Sequence, residues 1–420
     1  MKVLWIAYAA LGKAAELLEK KQTQSGTWID ASVNALTQLH EIELTVACIS
    51  SNSDRVIDPN TGVVYKGIAE VQKKSGTKPS LSEIDVWKSV ISLEKPDIIM
   101  IWGTEYANGL AVIEAAEKIP VLIFIQGVLG KIVRYPIGCL SMHEVLHTTG
   151  PINAVKFLHF KKHLRVQQKQ CAIEAEMIKK CSGIITDNDW AISYYRTILP
   201  ELRNYFFPLP INPFFINGER TPSEELSLFT IDGGNPAKGV YHLVKALAIV
   251  KKRYPHVKLY IPGRIPTGNP KILKESPYYA YLKKLIDKYD LGANVIFLGQ
   301  LTSLQMREQL AKCSAFVMPS AIENHSSSLR EAMYMGVPSI SSLVGCVPEF
   351  TIDGKNALTY RYEEEEILAS HIIKLLNDVQ YAESLGSYGR KSVNEMFPQN
   401  DLGERMLKIY HEVLSNESIL

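Results

Sequence analysis

Short apolar runs rich in β-branched residues alternate with helical patterns along both halves of the chain. In the first half these runs are residues 3–7, 44–49, 98–101, 121–125 and 183–186. In the second half they are residues 227–231, 257–261, 295–298, 315–318 and 339–341. Strands of a parallel sheet are buried on both faces, so such runs between helices indicate βαβ units. The pattern predicts an α/β protein with two Rossmann-like, doubly wound parallel sheets.

A proline-rich segment separates the two halves. Residues 206–226 contain four prolines, which interrupt any helix, and end in a polar stretch. We therefore predict one domain over residues 1–210 and a second over residues 222–395. Apolar positions at helical spacing in residues 401–413 predict a C-terminal helix. Because ligands of open α/β sheets bind beyond the carboxyl ends of the strands, two such domains facing each other would form a binding cleft.

Composition narrows the class of protein further. The 420 residues are 46% hydrophobic and 21% charged, which is typical of a globular protein, and a net charge of +2 does not indicate a nucleic-acid partner. The six cysteines form no CxxC pair, so we expect no metal site and a reducing compartment. The N-terminal apolar run is too short for a signal peptide or a membrane span. We expect a cytoplasmic protein.

The segment FVMPSAIENHSSSLREAMYMGVPSIS, residues 316–341, combines a buried strand, a polar loop and a helix that begins near Ser328. The N–H groups of Ser327, Ser328 and Leu329 would lack helical acceptors and could bind a diphosphate. Glu323 could accept hydrogen bonds from sugar hydroxyls, and Glu331 could hold a diol such as ribose. The alternatives are a solvated loop acid for Glu323 and a capping box with Ser328 for Glu331.

A second candidate anion site is DGGNPAKGVYHLVKAL, residues 232–247, where glycines end the first strand of the second half. Gly234 would let the backbone approach a ligand, while Asn235 can cap a helix that has Pro236 at its first position. Lys238 then falls in the first helical turn, where the helix dipole disfavours a cation and a bound diphosphate would compensate. The alternative is an ordinary solvated lysine.

The segment from Met318 to Glu349 resembles the nucleotide-sugar signature of retaining glycosyltransferases with the GT-B fold, family 4. The matching features, in chain order, are Met318-Pro319-Ser320, the pair Glu323 and Glu331, Glu331-Ala332-Met333, Gly336-Val337-Pro338, then Gly345, Pro348-Glu349 and Asp353-Gly354. The resemblance spans nearly the whole chain, densely in the second domain and thinly in the first. It implies that residues 396–420 cross back to the first domain.

The resemblance implies transfer of a sugar, with retention, from a UDP-, GDP- or ADP-sugar to a glycan, lipid-linked or other small acceptor. No cofactor beyond the nucleotide sugar and no metal is expected. Lys238 and Glu323 would be the catalytic pair. Two rivals stay open: a non-catalytic GT-B partner subunit and a sugar-nucleotide epimerase. Polysaccharide or glycoconjugate biosynthesis is the expected process.

Two positions depart from the family pattern. Gly233 stands where the family usually has an arginine five residues before the lysine, which removes one expected diphosphate contact. Arg264, after the next strand, could replace it, or could contact the base or be a solvated loop residue. Gln126 stands where the family commonly has a histidine, so it can form hydrogen bonds to a sugar but cannot carry a proton.

Few residues in the sequence indicate where an acceptor would bind. By resemblance, the loop containing Gly26 approaches a substrate, although a simple turn explains that glycine equally well. Tyr106 and Gln126 are candidates to line the acceptor side. The basic segment INAVKFLHFKKHLRVQQKQ, residues 152–170, could form an amphipathic helix on anionic lipid at the inner face of a membrane, or a packed helix with one solvated face.

Overall fold

The computed structural model describes residues 1–20, 27–71, 77–149, 151–231, 233–265 and 277–417. The strands are β1 (Lys2–Ala7), β2 (Glu43–Ile49), β3 (Arg55–Ile57), β4 (Val64–Ile68), β5 (Ile98–Trp102), β6 (Val121–Phe124), β7 (Gly183–Thr186), β8 (Asn204–Phe206), β9 (Ser227–Thr230), β10 (Lys258–Pro262), β11 (Val295–Gly299), β12 (Ala315–Met318), β13 (Ser339–Ser342) and β14 (Leu358–Tyr360).

The helices surround these strands. They are α1 (Gly12–Glu19), α2 (Thr27–Thr37), α3 (Leu81–Glu94), α4 (Asn108–Ala116), α5 (Leu129–Ile132), α6 (Met142–Thr149), α7 (Pro151–Lys180), α8 (Asp189–Arg196), α9 (Pro213–Ile216), α10 (Val240–Val250), α11 (Pro277–Lys288), α12 (Ser303–Lys312), α13 (Ser327–Tyr334), α14 (Val347–Phe350), α15 (Glu365–Asn377), α16 (Val379–Met396) and α17 (Leu402–Glu417). A 3₁₀ helix spans Pro236–Lys238.

The predicted fold class, two doubly wound α/β units, is confirmed. Over the described residues the first sheet has the order β3-β4-β2-β1-β5-β6-β7-β8, and it is parallel except for the β3–β4 pair. The second sheet is parallel throughout, in the order β11-β10-β9-β12-β13-β14. Within the second unit this is the order 3-2-1-4-5-6 of a dinucleotide-binding fold.

Every predicted strand is present, and four others were missed. The missed strands are β3, β4, β8 and β14. Three of them have only three residues, and β4 carries Lys66 and Gly67 in its interior, so none shows a continuous apolar run. Strand β8 ends at the first residue of the segment that was predicted to be an irregular linker, and helix α9 lies inside that segment.

Alternate residues of β1 enter two separate apolar cores. Val3 and Trp5 pack with one core, whereas Leu4 and Ile6 pack with the other. This two-sided burial follows from the side-chain period of two in a strand, and it explains why the run contains no polar position.

The chain divides into two compact units whose boundaries differ from the prediction in one segment. Unit 1 comprises residues 1–133, 165–212 and 399–420, and unit 2 comprises residues 134–164 and 213–398. Residues 134–164 had been predicted in the first domain. They group with unit 2 because Leu140 and Val145 are buried in its core and Glu144 binds Lys245 at 3.1 Å.

The C-terminal helix α17 packs with unit 1. Tyr410 is fully buried, and its hydroxyl accepts a hydrogen bond of 2.8 Å from the indole N–H of Trp5 on β1. At Gly403 the backbone of α17 lies so close to α2 that a Cβ would stand 2.3 Å from the carbonyl oxygen of Ala35. A small residue is therefore required at this helix contact.

We expect Tyr410→Phe to lower the free energy of unfolding of unit 1 by about 1–3 kcal/mol, because it leaves the buried Trp5 N–H without this acceptor. Urea titration followed by tryptophan fluorescence would measure the change. The control is Tyr388→Phe at an exposed tyrosine, which should stay within about 0.5 kcal/mol of the parent. Equal effects of the two substitutions would contradict the role of the Trp5–Tyr410 bond.

Candidate functional site

The candidate site lies where the strand order of unit 2 reverses. Strands β9 and β12 are parallel neighbours, although 84 residues separate the end of β9 at Thr230 from the start of β12 at Ala315, since residues 231–314 lie between them. In open α/β sheets ligands bind at such a reversal, beyond the carboxyl ends of the strands. The loops after β9 and β12 carry Lys238 and Glu323 respectively.

Lys238 ends a short 3₁₀ turn. The side chain of Asn235 accepts a hydrogen bond of 3.0 Å from the Ala237 amide, and Pro236 occupies the first position, which confirms the predicted cap. The cap does not begin α10, however. Gly239 has a left-handed backbone with φ of 67°, and α10 starts after it at Val240. The expectation that Lys238 sits in the first turn of the long helix, against its dipole, was wrong.

Lys238 and Glu323 form an ion pair. The ammonium Nζ lies 2.7 Å from the carboxylate Oε1, and the two side chains are 35% and 9% exposed respectively. Neither residue is the solvated side chain that the alternative interpretation assumed. Because Glu323 is nearly enclosed, removing Lys238 would leave a carboxylate with much of its hydration already lost.

Close backbone contacts hold the two loops together. The Ala321 amide donates a 2.8 Å hydrogen bond to the Ala237 carbonyl, so the loop after β12 is tied to the Lys238 turn. A Cβ on Gly239 would lie 1.7 Å from the Pro319 carbonyl oxygen, and a Cβ on Gly345 would lie 1.8 Å from that of Glu323. Both glycines have positive φ, so an L side chain is excluded by space and by conformation.

Helix α13 presents its partly exposed residues on one face. Ser327, Ser328 and Glu331 are half-buried at positions i, i+1 and i+4, whereas Leu329 and the residues after Glu331 are buried. The helix begins at Ser327 and its N-cap, Ser326, has a left-handed backbone and makes no side-chain cap hydrogen bond. The capping box considered for Ser328 and Glu331 is therefore wrong.

The Glu331 carboxyl group is largely desolvated. Desolvation raises the pKa of Glu331 to about 7, and the neighbouring Arg330 guanidinium opposes that rise. Arg330 is fully buried and lies 4.5 Å from the centre of the Phe397 ring. A carboxyl group with such a pKa can both donate and accept hydrogen bonds near neutral pH.

Gly233 and Gly234 lie in the loop after β9, and Arg264 follows the neighbouring strand β10. The Gly233 amide donates a 3.3 Å hydrogen bond to Pro262 at the end of β10, and a Cβ on Gly233 would meet the Ile261 side chain at 2.9 Å. An arginine at this position would require the Ile261 side chain to move. Gly234 is half-buried in the loop before Asn235, and Arg264 has an exposed side chain.

The acceptor-side candidates lie in unit 1. Tyr106 follows β5, and its ring lies 4.8 Å from the ring of Tyr8, which follows β1. Strands β1 and β5 flank the reversal point of the first sheet, and burial raises the pKa of Tyr8. Gln126 follows β6 and is half-buried. Gly26 lies outside the described residues.

Glu174 of unit 1 is a buried acid that was not predicted from the sequence. It lies against the loops after β5 and β6. Its carboxylate accepts hydrogen bonds from the Tyr195 hydroxyl at 2.9 Å and from Thr104 and the Leu129 amide at 3.1 Å each. Desolvation raises its pKa to about 7 despite those donors. The signal was available, because Glu174 falls in a helical stripe with the buried Met177 and Ile178.

Helix α7, which contains the whole basic segment 152–170, runs from Pro151 to Lys180. The side chains of residues 151–163 are outside the description. No helix among the residues described is both long and apolar enough to cross a bilayer. In the same part of the chain, no cluster of three or more His, Cys, Asp or Glu side chains has the arrangement of a metal site.

Comparison with solved structures identifies the class of fold. Sucrose-phosphate synthase from Thermosynechococcus elongatus has a TM-score of 0.74 and 15% identity, covering 99% of this chain and 100% of that one. Anabaena HepE, in a crystal structure with UDP and glucose, has a TM-score of 0.67 and 14% identity over 97% and 99% of the two chains. The fold is that of the GT-B glycosyltransferases.

Sequence comparison narrows the class within unit 2. Residues 213–392 match the family model for group 1 glycosyl transferases. An uncharacterized glycosyltransferase of Bacillus subtilis is 26% identical over 192 residues, which are 46% of this chain and 50% of that protein. The chain matches 50%, 38% and 44% of the lengths of this relative and two other curated relatives. An uncharacterized glycosyltransferase of Methanocaldococcus jannaschii is 26% identical over 90% of this chain and 93% of that protein. These matches show that the sequence of unit 2 is similar to group 1 glycosyl transferases.

We expect Glu331→Gln to change how stability depends on pH. Because the pKa of the folded acid is raised above its ordinary value of 4.5, the folded state holds its proton more tightly, and the parent loses stability as pH rises from about 4.5 through 7. The variant lacks this loss. Relative to Glu331→Gln, the parent should therefore weaken by on the order of 1–2 kcal/mol, less than the full ~1.4 kcal/mol per pKa unit because the side chain is partly exposed.

Urea unfolding from pH 4.5 to pH 8, roughly spanning the window between the two pKa values, would measure this difference. The control is Glu308→Gln at an exposed glutamate of the same unit, for which the difference from the parent should stay nearly flat with pH. A flat difference for Glu331→Gln would show that its carboxyl group is not desolvated.

Proposed function

We propose that this protein is a retaining glycosyltransferase that moves a sugar from a nucleoside diphosphate sugar to a hydroxyl group of an acceptor. The observation that carries the proposal is the ion pair of Lys238 and Glu323 at the strand-order reversal of unit 2. The group 1 glycosyl transferase match of the same unit supports it. No cofactor beyond the nucleotide sugar is proposed.

Lys238 would bind the diphosphate of the donor. As the bond between the sugar and the diphosphate breaks, negative charge grows on the leaving oxygens, and a fixed cation stabilises that charge most in the transition state. The first-turn N–H groups of Ser327, Ser328 and Leu329 on α13 would bind the same anion, since they lack helical acceptors. Gly234 leaves room for the phosphates to approach the backbone.

Glu323 and Glu331 would take different parts of the donor. Glu323, paired with Lys238 in the free protein, would accept hydrogen bonds from hydroxyl groups of the sugar when the diphosphate engages the lysine. Glu331, on the partly exposed face of α13, would hold the ribose diol, and its raised pKa allows it to donate as well as to accept. Arg264 is proposed as a further contact to the donor from the end of β10.

The reaction would proceed on one face of the sugar. The acceptor hydroxyl oxygen forms a bond to the anomeric carbon while the bond from that carbon to the phosphate oxygen breaks, and the acceptor proton passes to the leaving phosphate. Configuration is retained without a covalent sugar intermediate. Glu323 is therefore assigned to positioning the sugar and not to nucleophilic attack, as no second acid among the residues that the structure describes is paired with it in the manner of a retaining glycosidase.

The acceptor is proposed to be a glycan, a lipid-linked sugar or another small hydroxyl compound, with Tyr106 and Gln126 on that side. The basic residues of segment 152–170 favour an acceptor presented at an anionic membrane surface. Biosynthesis of a polysaccharide or glycoconjugate, in the cytoplasm or at the inner face of a membrane, fits such an acceptor.

Replacing either member of the ion pair should reduce transfer. We expect Lys238→Ala to lower kcat by about 10²–10³ and Glu323→Gln by about 10², the usual cost of removing one preorganised electrostatic contact. Initial rates of nucleoside diphosphate release, with acceptor present, would measure this. The control is Lys355→Ala at an exposed lysine of the same unit, which should transfer at the parent rate.

Parent-like rates in folded Lys238→Ala would contradict the proposed role, as would equal losses in Lys355→Ala. Circular dichroism of each variant separates lost chemistry from lost folding. Nucleoside diphosphate release that needs no acceptor and yields an altered sugar would identify an epimerase instead.

The donor can be identified by thermal denaturation with UDP, GDP, ADP and their sugars. A ligand that binds only the folded state at a hundred times its Kd adds about 2.7 kcal/mol, so the correct nucleotide should raise Tm selectively. The rise should shrink in Lys238→Ala. No rise with any of them would favour a subunit without catalytic activity.

A further inference from the structure

Residues 134–149 pack within unit 2 and contact the turn that carries Lys238. This segment, which we call the strap, belongs by sequence to the first half of the chain, yet it packs against the strands and helices of the second. Leu140 and Val145 are buried in the core of unit 2. Glu144 lies 3.1 Å from the Lys245 ammonium on α10 and accepts a 2.5 Å hydrogen bond from the Tyr281 hydroxyl on α11.

The strap meets the Lys238 turn at Gly138. Gly138 has φ of 58°, and a Cβ built on it would lie 2.1 Å from the Pro236 carbonyl oxygen and 3.1 Å from the Ala237 nitrogen. Pro236 and Ala237 are the first two residues of the 3₁₀ turn that ends at Lys238. The backbone of the strap therefore rests directly on the backbone that carries the lysine.

Two tyrosine hydroxyls fix the position of Gly138. Its carbonyl oxygen accepts a hydrogen bond from Tyr241 on α10 and another, of 2.8 Å, from Tyr362 after β14. The two hydroxyls are themselves 3.4 Å apart. Both lone pairs of this carbonyl oxygen are thus used by side chains of two different elements, which fix the position of Gly138 against Pro236.

We propose that the strap is a positioning element for Lys238, and that Gly138 is its positioning residue. Two close backbone contacts hold the turn, that of Gly138 with Pro236 and that of Gly239 with the Pro319 carbonyl. With the backbone of the turn fixed at both contacts, the Lys238 ammonium is held 2.7 Å from Glu323 in the free protein. For its effect on transfer this inference rests on the proposed function. The geometric claim stands without it.

The matched pair of variants is Gly138→Ala and Gly354→Ala. Both glycines belong to unit 2 and have positive φ, 58° and 73°, so both substitutions carry a similar backbone strain. Only Gly138 lacks space, since the nearest atom to a Cβ on Gly354 is the Tyr381 hydroxyl at 3.8 Å. Tyr362→Phe is a second test that leaves φ unchanged and removes one donor to the Gly138 carbonyl.

Two readouts are made on each folded variant. The first readout is the rate at which an activated acetate ester acetylates Lys238, measured by peptide mass spectrometry with Lys355 as internal reference. This rate depends on how firmly Glu323 holds the Lys238 ammonium, and measuring it does not require the protein to be an active enzyme. It should rise severalfold in Gly138→Ala, rise less in Tyr362→Phe, and stay at the parent rate in Gly354→Ala. The kcat for transfer should fall by roughly ten- to a hundredfold in Gly138→Ala, as a displacement near 1 Å costs up to about 10².

The acetylation rate of Lys238 tests whether the strap positions this residue. If Lys238 reacts in Gly138→Ala and Tyr362→Phe as it does in Gly354→Ala, the claim is overturned, whatever happens to kcat. If Gly138→Ala does not fold, Tyr362→Phe alone decides. If the parent protein transfers no sugar while acetylation changes as expected, the proposed function fails and the positioning claim stands.

Discussion

Everything in the candidate site depends on how closely three stretches of backbone approach one another. The loop after β9 and the loop after β12 meet at Gly239, and the segment before α14 meets the second loop at Gly345. Side chains at these points would force the loops apart by more than an ångström. Since catalytic geometry must be held within fractions of an ångström, the two glycines contribute as much to the site as the charged residues they bring together.

The electrostatics of the site follow from that packing. Lys238 and Glu323 neutralise each other in the free protein, so the nearly enclosed carboxylate does not stand as an uncompensated charge. In the proposed complex the diphosphate replaces Glu323 as the partner of Lys238, and the Glu323 carboxylate then binds the sugar hydroxyls. One ion pair is therefore a preformed site for two parts of the same donor. Glu331 stays separate, in poorly hydrated surroundings that raise its pKa to about 7.

Predictions of secondary structure from the sequence were most accurate where a pattern of residues has one physical explanation. The apolar runs predicted strands correctly because burial on both faces of a sheet permits little else. Asn235 and Pro236 were read correctly as a cap, yet local sequence could not distinguish a 3₁₀ turn from the start of α10. That distinction is made at Gly239, which has a positive φ and lies against Pro319, a residue 80 positions further along the chain.

Other features depended on tertiary contacts and could not be predicted. The Ser-x-x-Glu spacing suggested a cap for Glu331, but α13 starts at Ser327 after a left-handed Ser326, which the pattern does not encode. The strap looked like part of the first domain because only its packing on α10 and α11 assigns it to unit 2. Glu174 was overlooked, although an acid inside an apolar helical stripe could have revealed it.

The central claim is that Lys238 and Glu323 form a preformed site for a nucleoside diphosphate sugar. A crystal structure of the protein with a nucleoside diphosphate tests this most directly. The account predicts a phosphate oxygen within about 2.7–3.2 Å of the Lys238 ammonium and of the first amides of α13. A diphosphate bound elsewhere, with the Lys238–Glu323 pair intact and α13 untouched, would contradict it.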